Sequence, residues 1–191
     1  MSEITLVSAE TPSLTEEETS LVKAAQRDPA MFAAIYQRYL NPIYHYLLAR
    51  VRVPQIAEDL TAQVFLQALE ELPKYRPMRP FSAWLFTIAR RRAVDHFRRS
   101  RELISLEDEH ASPTSSPDPL SQVLQNERLA ALSSLLGRLD EDERELLRLR
   151  FAAGLSFAAI AVLHGQKESA VKMTLYRLLA RLESQLGKDN D

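Results

Sequence analysis

Leu155-Ser156-Phe157-Ala158-Ala159-Ile160-Ala161-Val162-Leu163-His164-Gly165-Gln166-Lys167-Glu168-Ser169-Ala170-Val171-Lys172, residues 155–172, predicts two helices meeting at a tight turn. Ser156 is an N-cap for a short helix over Phe157 to His164, Gly165 is free to take positive φ, and a longer helix runs from about Glu168 to Leu186. Ala161 suits the inner crossing point, where a small side chain lets two helices approach, and Ile160, Val171 and Leu175 hold the pair together. This is the helix-turn-helix outline, which an ordinary αα-hairpin shares.

Upstream, Asp140 with Glu143 three residues later marks another helix start, and Gly154 stops that helix after Leu146, Leu147, Leu149 and Phe151. The segment 120–136 reads as a helix ending near Gly137. The first half repeats the pattern on a larger scale. Apolar residues recur at three- and four-residue steps through Phe32, Ile35, Tyr36, Tyr39, Ile43, Tyr46 and Leu47, and again through Ile56, Leu60, Val64, Ala68 and Leu72. Pro42 is expected to kink or divide the first of these helices and Pro54 to open the second. The proline-rich run from Pro73 to Pro80 is a loop, and a third long helix follows from about Ser82 to Arg99. Alternating β-branched runs are missing, so the expected fold is all-α: two small helical domains, the C-terminal one a helix-turn-helix.

Charge divides the chain more sharply than hydrophobicity does. Residues 1–19 carry five acids and no base, residues 20–101 fourteen bases against six acids, and residues 102–127 six acids and no base. A basic segment between acidic ones is the electrostatic footprint of contact with nucleic acid, which the net charge of −2 conceals. The expected organisation is an acidic, disordered tail over 1–19, a first domain over 20–101, a flexible acidic linker over 102–119, the helix-turn-helix domain over 120–187 and a short tail over 188–191. With its three prolines and no apolar period, the linker spans up to about 60 Å, so the two domains need not touch.

The helix after the proline-rich loop has the most pointed composition: Phe81-Ser82-Ala83-Trp84-Leu85-Phe86-Thr87-Ile88-Ala89-Arg90-Arg91-Arg92, then Asp95-His96-Phe97-Arg98-Arg99. Arg91 and Arg98, like Arg92 and Arg99, are seven residues apart and share a face, while Leu85, Ile88, Ala89 and Phe97 point elsewhere. Cations on a rigid rod suit phosphates, and Phe81 and Trp84 suit an unstacked base. The plainer reading puts Trp84 in the core and pairs Asp95 with Arg91 or Arg99 across one turn.

Catalysis finds no support. The chain has no cysteine, which excludes a thiolate metal site or nucleophile, and His45, His96, His110 and His164 lack metal-ligand spacing. There is no glycine-rich phosphate loop and no nucleophile elbow, so no enzyme activity, metal or cofactor is expected. Neither a signal peptide nor a membrane-spanning run is expected, and the expected location is the cytoplasm.

These residues together resemble the extracytoplasmic-function (ECF) sigma factors, the two-domain initiation subunits of bacterial RNA polymerase. The resemblance covers about Ser20 to Leu186. Ala57-Glu58-Asp59-Leu60-Thr61 with Val64-Phe65-Leu66-Gln67-Ala68 looks like the family's clamp-docking helix. The segment from Phe81 to Arg99 is similar to its promoter-melting segment. Leu149-Arg150-Phe151, Gly154 to Phe157, Ile160-Ala161, Gly165, and Val171-Lys172 with Arg177 resemble its fourth-region helix-turn-helix.

The resemblance implies core RNA polymerase and promoter DNA as partners, and an anti-sigma factor as a further one. Asp59, Gln63 and Phe65 would contact polymerase. Arg76 and its loop would capture a flipped base, and Phe81, Trp84, Arg90, Arg91, Arg98 and Arg99 would hold the melted minus-ten strand. Lys167, Glu168, Ser169, Lys172, Met173, Tyr176 and Arg177 would face the minus-thirty-five duplex. The chain departs from the family pattern at Ala62, Gln63, Arg91, Gln166, Met173, Thr174 and Leu179, and two common phosphate-binding arginines are lost at Thr174 and Leu179. A stand-alone helix-turn-helix regulator and a helical protein–protein adaptor stay open as readings of the residues alone.

Overall fold

The structure, a computed structural model, describes residues 16–104 and 134–188, and among them the only regular secondary structure is helical, with no strand. The first unit contains α1 (Glu16–Arg27), α2 (Phe32–Val51), α3 (Pro54–Glu71) and α4 (Phe81–Ile104). Short 3-10 turns at Pro29–Met31 and Leu72–Lys74 lead into α2 and out of α3. In α2 the three- and four-residue period buries Phe32, Ile35, Tyr39, Ile43, Tyr46 and Leu47 on one side.

Of the two outcomes expected at Pro42, a kink or a division, division does not occur, and the helix continues from Phe32 to Val51. Ile43, Tyr46 and Leu47, just past the proline, are fully buried, and this packing outweighs the backbone bond that proline cannot make. The helix ends where Arg52 turns left-handed at φ 60° and donates its N–H to the Leu48 carbonyl. Pro54 opens α3 as its first residue, where a missing N–H costs nothing.

The boundary at residue 19 also shifts. The acidic 16–19 stretch belongs to α1, and Glu18 is buried, accepting a hydrogen bond from the Tyr39 hydroxyl. Burial first, and then that carboxylate, push the Tyr39 hydroxyl well above its ordinary pKa.

In the second unit Asp140 and Glu143 form the expected reciprocal cap: Glu143 N donates to Asp140 Oδ1 at 2.8 Å and Asp140 N to Glu143 Oε2 at 3.3 Å. α5 (Glu141–Leu147) then loosens into a π-helical turn over Arg148–Ala152, which the sequence pattern did not announce. Gly154 at φ 68° breaks it, and the Ser156 hydroxyl caps α6 (Phe157–His164). Gly165 at φ 64° closes α6, and α7 (Glu168–Lys188) follows. Ile160, Ala161, Val171 and Leu175 are buried at the α6–α7 crossing, as expected. Leu135, Leu139, Leu178 and Leu182 form a smaller cluster at the other end of α7.

The two units do not stand apart. One buried cluster runs from Val22 of α1 through α2 and α4 into Leu146, Leu149, Ile160 and Leu175 of the second unit. α2 meets the π-helical turn and α4 meets α6. Most of the expected linker, the helix expected over 120–136 apart from its last residues, and all but the end of the acidic tail lie outside the described residues.

Candidate nucleic-acid and polymerase surfaces

Three surfaces carry the residues singled out by sequence. The first lies on α3. Asp59 is exposed and Gln63, one turn on, is half-buried, so both face outward. Phe65 does not: it is 4% exposed and packs its ring against Phe32 and Tyr36. Its place is the core beneath this surface. The residue that does project there is Leu66, seven positions after Asp59 and 63% exposed, which an apolar pattern alone assigns to the interior.

The second surface is built on the 73–80 loop and the start of α4. A loop with three prolines has few backbone bonds of its own, and hydrogen bonds from the Gln26 and Tyr75 side chains hold it in place. Gln26 of α1 donates from Nε2 to the carbonyls of both Leu72 and Tyr75, each at 2.9 Å. The Tyr75 hydroxyl donates to the Arg79 carbonyl at 2.7 Å, closing the loop on itself. The rings of Tyr75, Phe81 and Trp84 lie 5.0–5.4 Å apart, centre to centre, in tilted and edge-on pairs. Burial, with the nearby Glu18 carboxylate, pushes the Tyr75 hydroxyl up to about 12, so it stays a donor.

Two cavities flank this aromatic cluster. One of about 310 Å³ has Tyr75, Arg76, Pro77 and Phe81 on one side and Thr19, Val22 and Gln26 of α1 on the other. Phe81 is 1% exposed and forms its floor. The other, of about 530 Å³, brings together Lys74, Arg76, Arg79, Trp84 and Arg91. Volumes of this size accept a small planar ligand. Trp84 is half-buried and packed on the core, so it serves as both core residue and cavity wall.

Arg98 and Arg99 are exposed two turns further along α4, on the rod but outside both cavities. Asp95 pairs with Arg98 at 3.5 Å, and Arg99 Nε donates to the Asp95 carbonyl at 3.3 Å, so the expected one-turn pairing with Arg91 or Arg99 side chains is replaced by an i,i+3 pair. Phe97, expected to pack, is 40% exposed. Arg92 is tied back to Gln67 of α3 at 2.8 Å. Arg90 turns toward the second unit, 3.9 Å from Glu145.

The third surface is the outer face of α7. Lys167, Glu168, Ser169, Lys172, Met173, Tyr176 and Arg177 are all exposed. Ser169, Lys172, Met173 and Tyr176 follow the i, i+3, i+4, i+7 rule of one helical stripe. Sequence reading missed the support under it. The Phe157 ring meets two cations, with the Arg150 guanidinium 4.7 Å and the Lys172 ammonium 5.5 Å from its centre, and the Tyr176 ring lies 6.3 Å away. Arg150 is fixed by donating to the Leu155 carbonyl at 2.8 Å.

Among the described residues no cluster of three or more His, Asp or Glu side chains is arranged to hold a metal ion, and no helix is long and apolar enough to cross a membrane.

Residues 35–102 match the family described as Sigma-70 region 2, and residues 129–182 match Sigma-70, region 4. The chain is 36% identical over 179 residues to the ECF RNA polymerase sigma factor BldN of Streptomyces coelicolor, covering 88% of this chain and 66% of that protein. It is 30% identical over 160 residues to the RNA polymerase sigma factor CarQ of Myxococcus xanthus, covering 82% of this chain and 90% of that one. Among solved structures, the sigma factor RpoE in complex with the anti-sigma factor NepR from Bartonella quintana shares the fold with a TM-score of 0.60 at 22% identity, covering 82% of this chain and 96% of that one.

Proposed function

The chain belongs to the ECF sigma factors of the sigma-70 family, and on that premise we propose how its three surfaces divide the work of initiation. The protein directs core RNA polymerase to promoters and is not itself an enzyme. The outward face of α3, with Asp59, Gln63 and the exposed Leu66, docks on polymerase, while Phe65 shapes that face from beneath. The 73–80 loop and α4 hold the melted minus-ten strand. The outer face of α7 meets the minus-thirty-five duplex, with Lys172 and Arg177 on phosphates and the remaining exposed side chains at the groove.

The observation that carries this reading is the convergence of Lys74, Arg76, Arg79 and Arg91 on a cavity walled by Trp84. Flipping a base costs a few kcal/mol, and a preformed aromatic wall among guanidinium groups offsets that cost by stacking and by binding the flanking phosphates. The pinned loop means that little ordering entropy remains to be lost on binding. Arg98 and Arg99 continue the cationic track along the strand. Cytoplasmic location and control by an anti-sigma partner are part of the same proposal.

The test is open-complex formation with core polymerase on promoter fragments, read by permanganate reactivity of unpaired thymines. Arg98→Ala with Arg99→Ala is expected to lower that reactivity while leaving co-elution with core polymerase intact. Full reactivity in the double variant would remove these residues from the strand contact.

A further inference from the structure

Met78, in the 73–80 loop, is 89% exposed, the most of any large apolar side chain among the described residues. The other two described methionines, Met31 and Met173, are 44% and 52% exposed. The position of Met78 is set by its neighbours. Its N–H donates to the Arg76 carbonyl at 2.7 Å, Pro77 and Pro80 restrict the backbone on either side, and the Tyr75–Arg79 hydrogen bond spans it. Its side chain lines the cavity of about 530 Å³ together with Arg76, Arg79, Trp84 and Arg91. A thioether beside an aromatic wall offers a soft, polarizable apolar surface to the face of a base.

From this placement we infer that Met78 is an oxidation site that switches minus-ten binding: as the thioether it covers a flipped base in this cavity, and as methionine sulfoxide it weakens that contact. The inference rests on the minus-ten reading of the loop and α4 given above. The oxidant is a peroxide. With hydrogen peroxide, a sulfur lone pair attacks one oxygen, and the sulfur–oxygen bond forms as the oxygen–oxygen bond breaks. The departing hydroxide takes the proton of the transferred oxygen and leaves as water, so sulfur loses the two electrons that the peroxide gains. The step needs access to the sulfur, and no thiol of this chain competes for the oxidant, because the chain has no cysteine. Two effects of the product act in one direction. A polar group replaces the apolar face, and the sulfoxide oxygen is a strong acceptor beside Arg76, Arg79 and Arg91, the donors that would otherwise bind phosphates of the strand. Thiol-driven methionine sulfoxide reductases reverse the change, one enzyme for each epimer.

The full chain is treated with hydrogen peroxide, the peroxide is removed with catalase, and untreated core polymerase is then added, so that only this chain carries the oxidation. Peptide mass spectrometry gives the oxidised fraction at each methionine, and permanganate reactivity of a duplex promoter gives melting. Met78 is expected to oxidise ahead of Met31 and Met173. At full Met78 oxidation, reactivity should fall about fivefold, the lower end of what one base contact is worth, and both sulfoxide reductases with dithiothreitol should restore it. Met78→Leu stays apolar and forms no sulfoxide, so its reactivity should be the same before and after peroxide. Met78→Gln, polar without any oxidant, should melt as poorly as the oxidised chain.

Oxidation of Met31 or Met173 ahead of Met78 overturns the site. An equal peroxide-dependent loss in Met78→Leu assigns the effect to another residue and overturns the switch, as does full reactivity of the oxidised, unsubstituted chain. Arg98→Ala with Arg99→Ala tells a failure of the switch from a failure of the minus-ten reading. If that double variant loses melting while the sulfoxide does not, only the switch falls. If neither change lowers reactivity, strand binding by the loop and α4 falls and the switch falls with it.

Discussion

The two units present the side chains proposed to face DNA on very different supports. In the first, the surface is a proline-rich loop that owes its shape to Gln26 of α1 and to Tyr75, so its geometry is set by elements far away in sequence. In the second, the surface is one face of the continuous helix α7, seated on α6 by Ile160, Val171 and Leu175. A loop surface depends on remote hydrogen bonds and fails when they are removed. A helix surface depends on packing and fails only when the packing does. Under the proposed division of work the loop side offers cavities for a flipped base, which a continuous helix does not, whereas a helix suits a duplex groove.

Removing packing from the helix support gives the largest effect. Ile160 is fully buried at the α6–α7 crossing and belongs to the cluster that joins the two units. Ile160→Ala is expected to cost about 2–5 kcal/mol through lost burial and the cavity left behind. Urea unfolding followed by circular dichroism and by Trp84 fluorescence measures this loss and sharpens the comparison. Because the core is shared, both probes should report one transition in the unsubstituted chain, and the variant should lower its midpoint. A tryptophan transition that stays put while helicity is lost earlier would show that the first unit stands without the second.

Removing a remote hydrogen bond from the loop support comes next. Gln26→Ala deletes both bonds to the Leu72 and Tyr75 carbonyls, with an expected cost of about 1–3 kcal/mol. Gln26 lies on α1, behind the loop, so duplex affinity for a minus-thirty-five fragment should stay unchanged while minus-ten melting falls. Equal losses in both assays would break the distinction between the two supports.

Local rules made most of the helix ends legible. Asp140 with Glu143, Ser156, Gly165 and Pro54 each act within one turn, and α6 begins and ends where its cap and glycine require. The helix-turn-helix crossing followed from small and branched residues at fixed spacing. What was illegible depends on distance along the chain. Tyr46 and Glu145 are ninety-nine positions apart, and nothing in the acid-rich run 140–145 distinguishes the one carboxylate that is buried from those that cap a helix. Glu18 was likewise hidden in an acidic stretch, because its partner Tyr39 belongs to another helix. Phe65 shows the converse: its motif was recognisable and assigned its ring to the polymerase contact, whereas the ring is buried and the adjacent Leu66 faces outward.

The smallest expected effect concerns pH and the junction of the two supports. His164 closes α6, and the charged groups acting on it are Arg90 of α4 and Asp142 and Glu145 of α5. Burial first, and then the Arg90 charge, hold its imidazole below the ordinary value of 6.5, with Glu145 and Asp142 offsetting part of this. The folded chain therefore favours the neutral ring, and the unfolded chain binds a proton more readily. Stability from this group is fully present above pH 6.5 and declines as pH falls below it toward the lowered folded value. The urea midpoint should thus fall between pH 7.5 and pH 5.5 by more in the unsubstituted chain than in His164→Gln, whose side chain does not titrate. The difference between the two slopes isolates His164 from the many carboxylates that contribute equally to both. Identical slopes would mean that the imidazole feels neither its burial nor Arg90, and the α4–α6 junction would then be looser than its packing indicates.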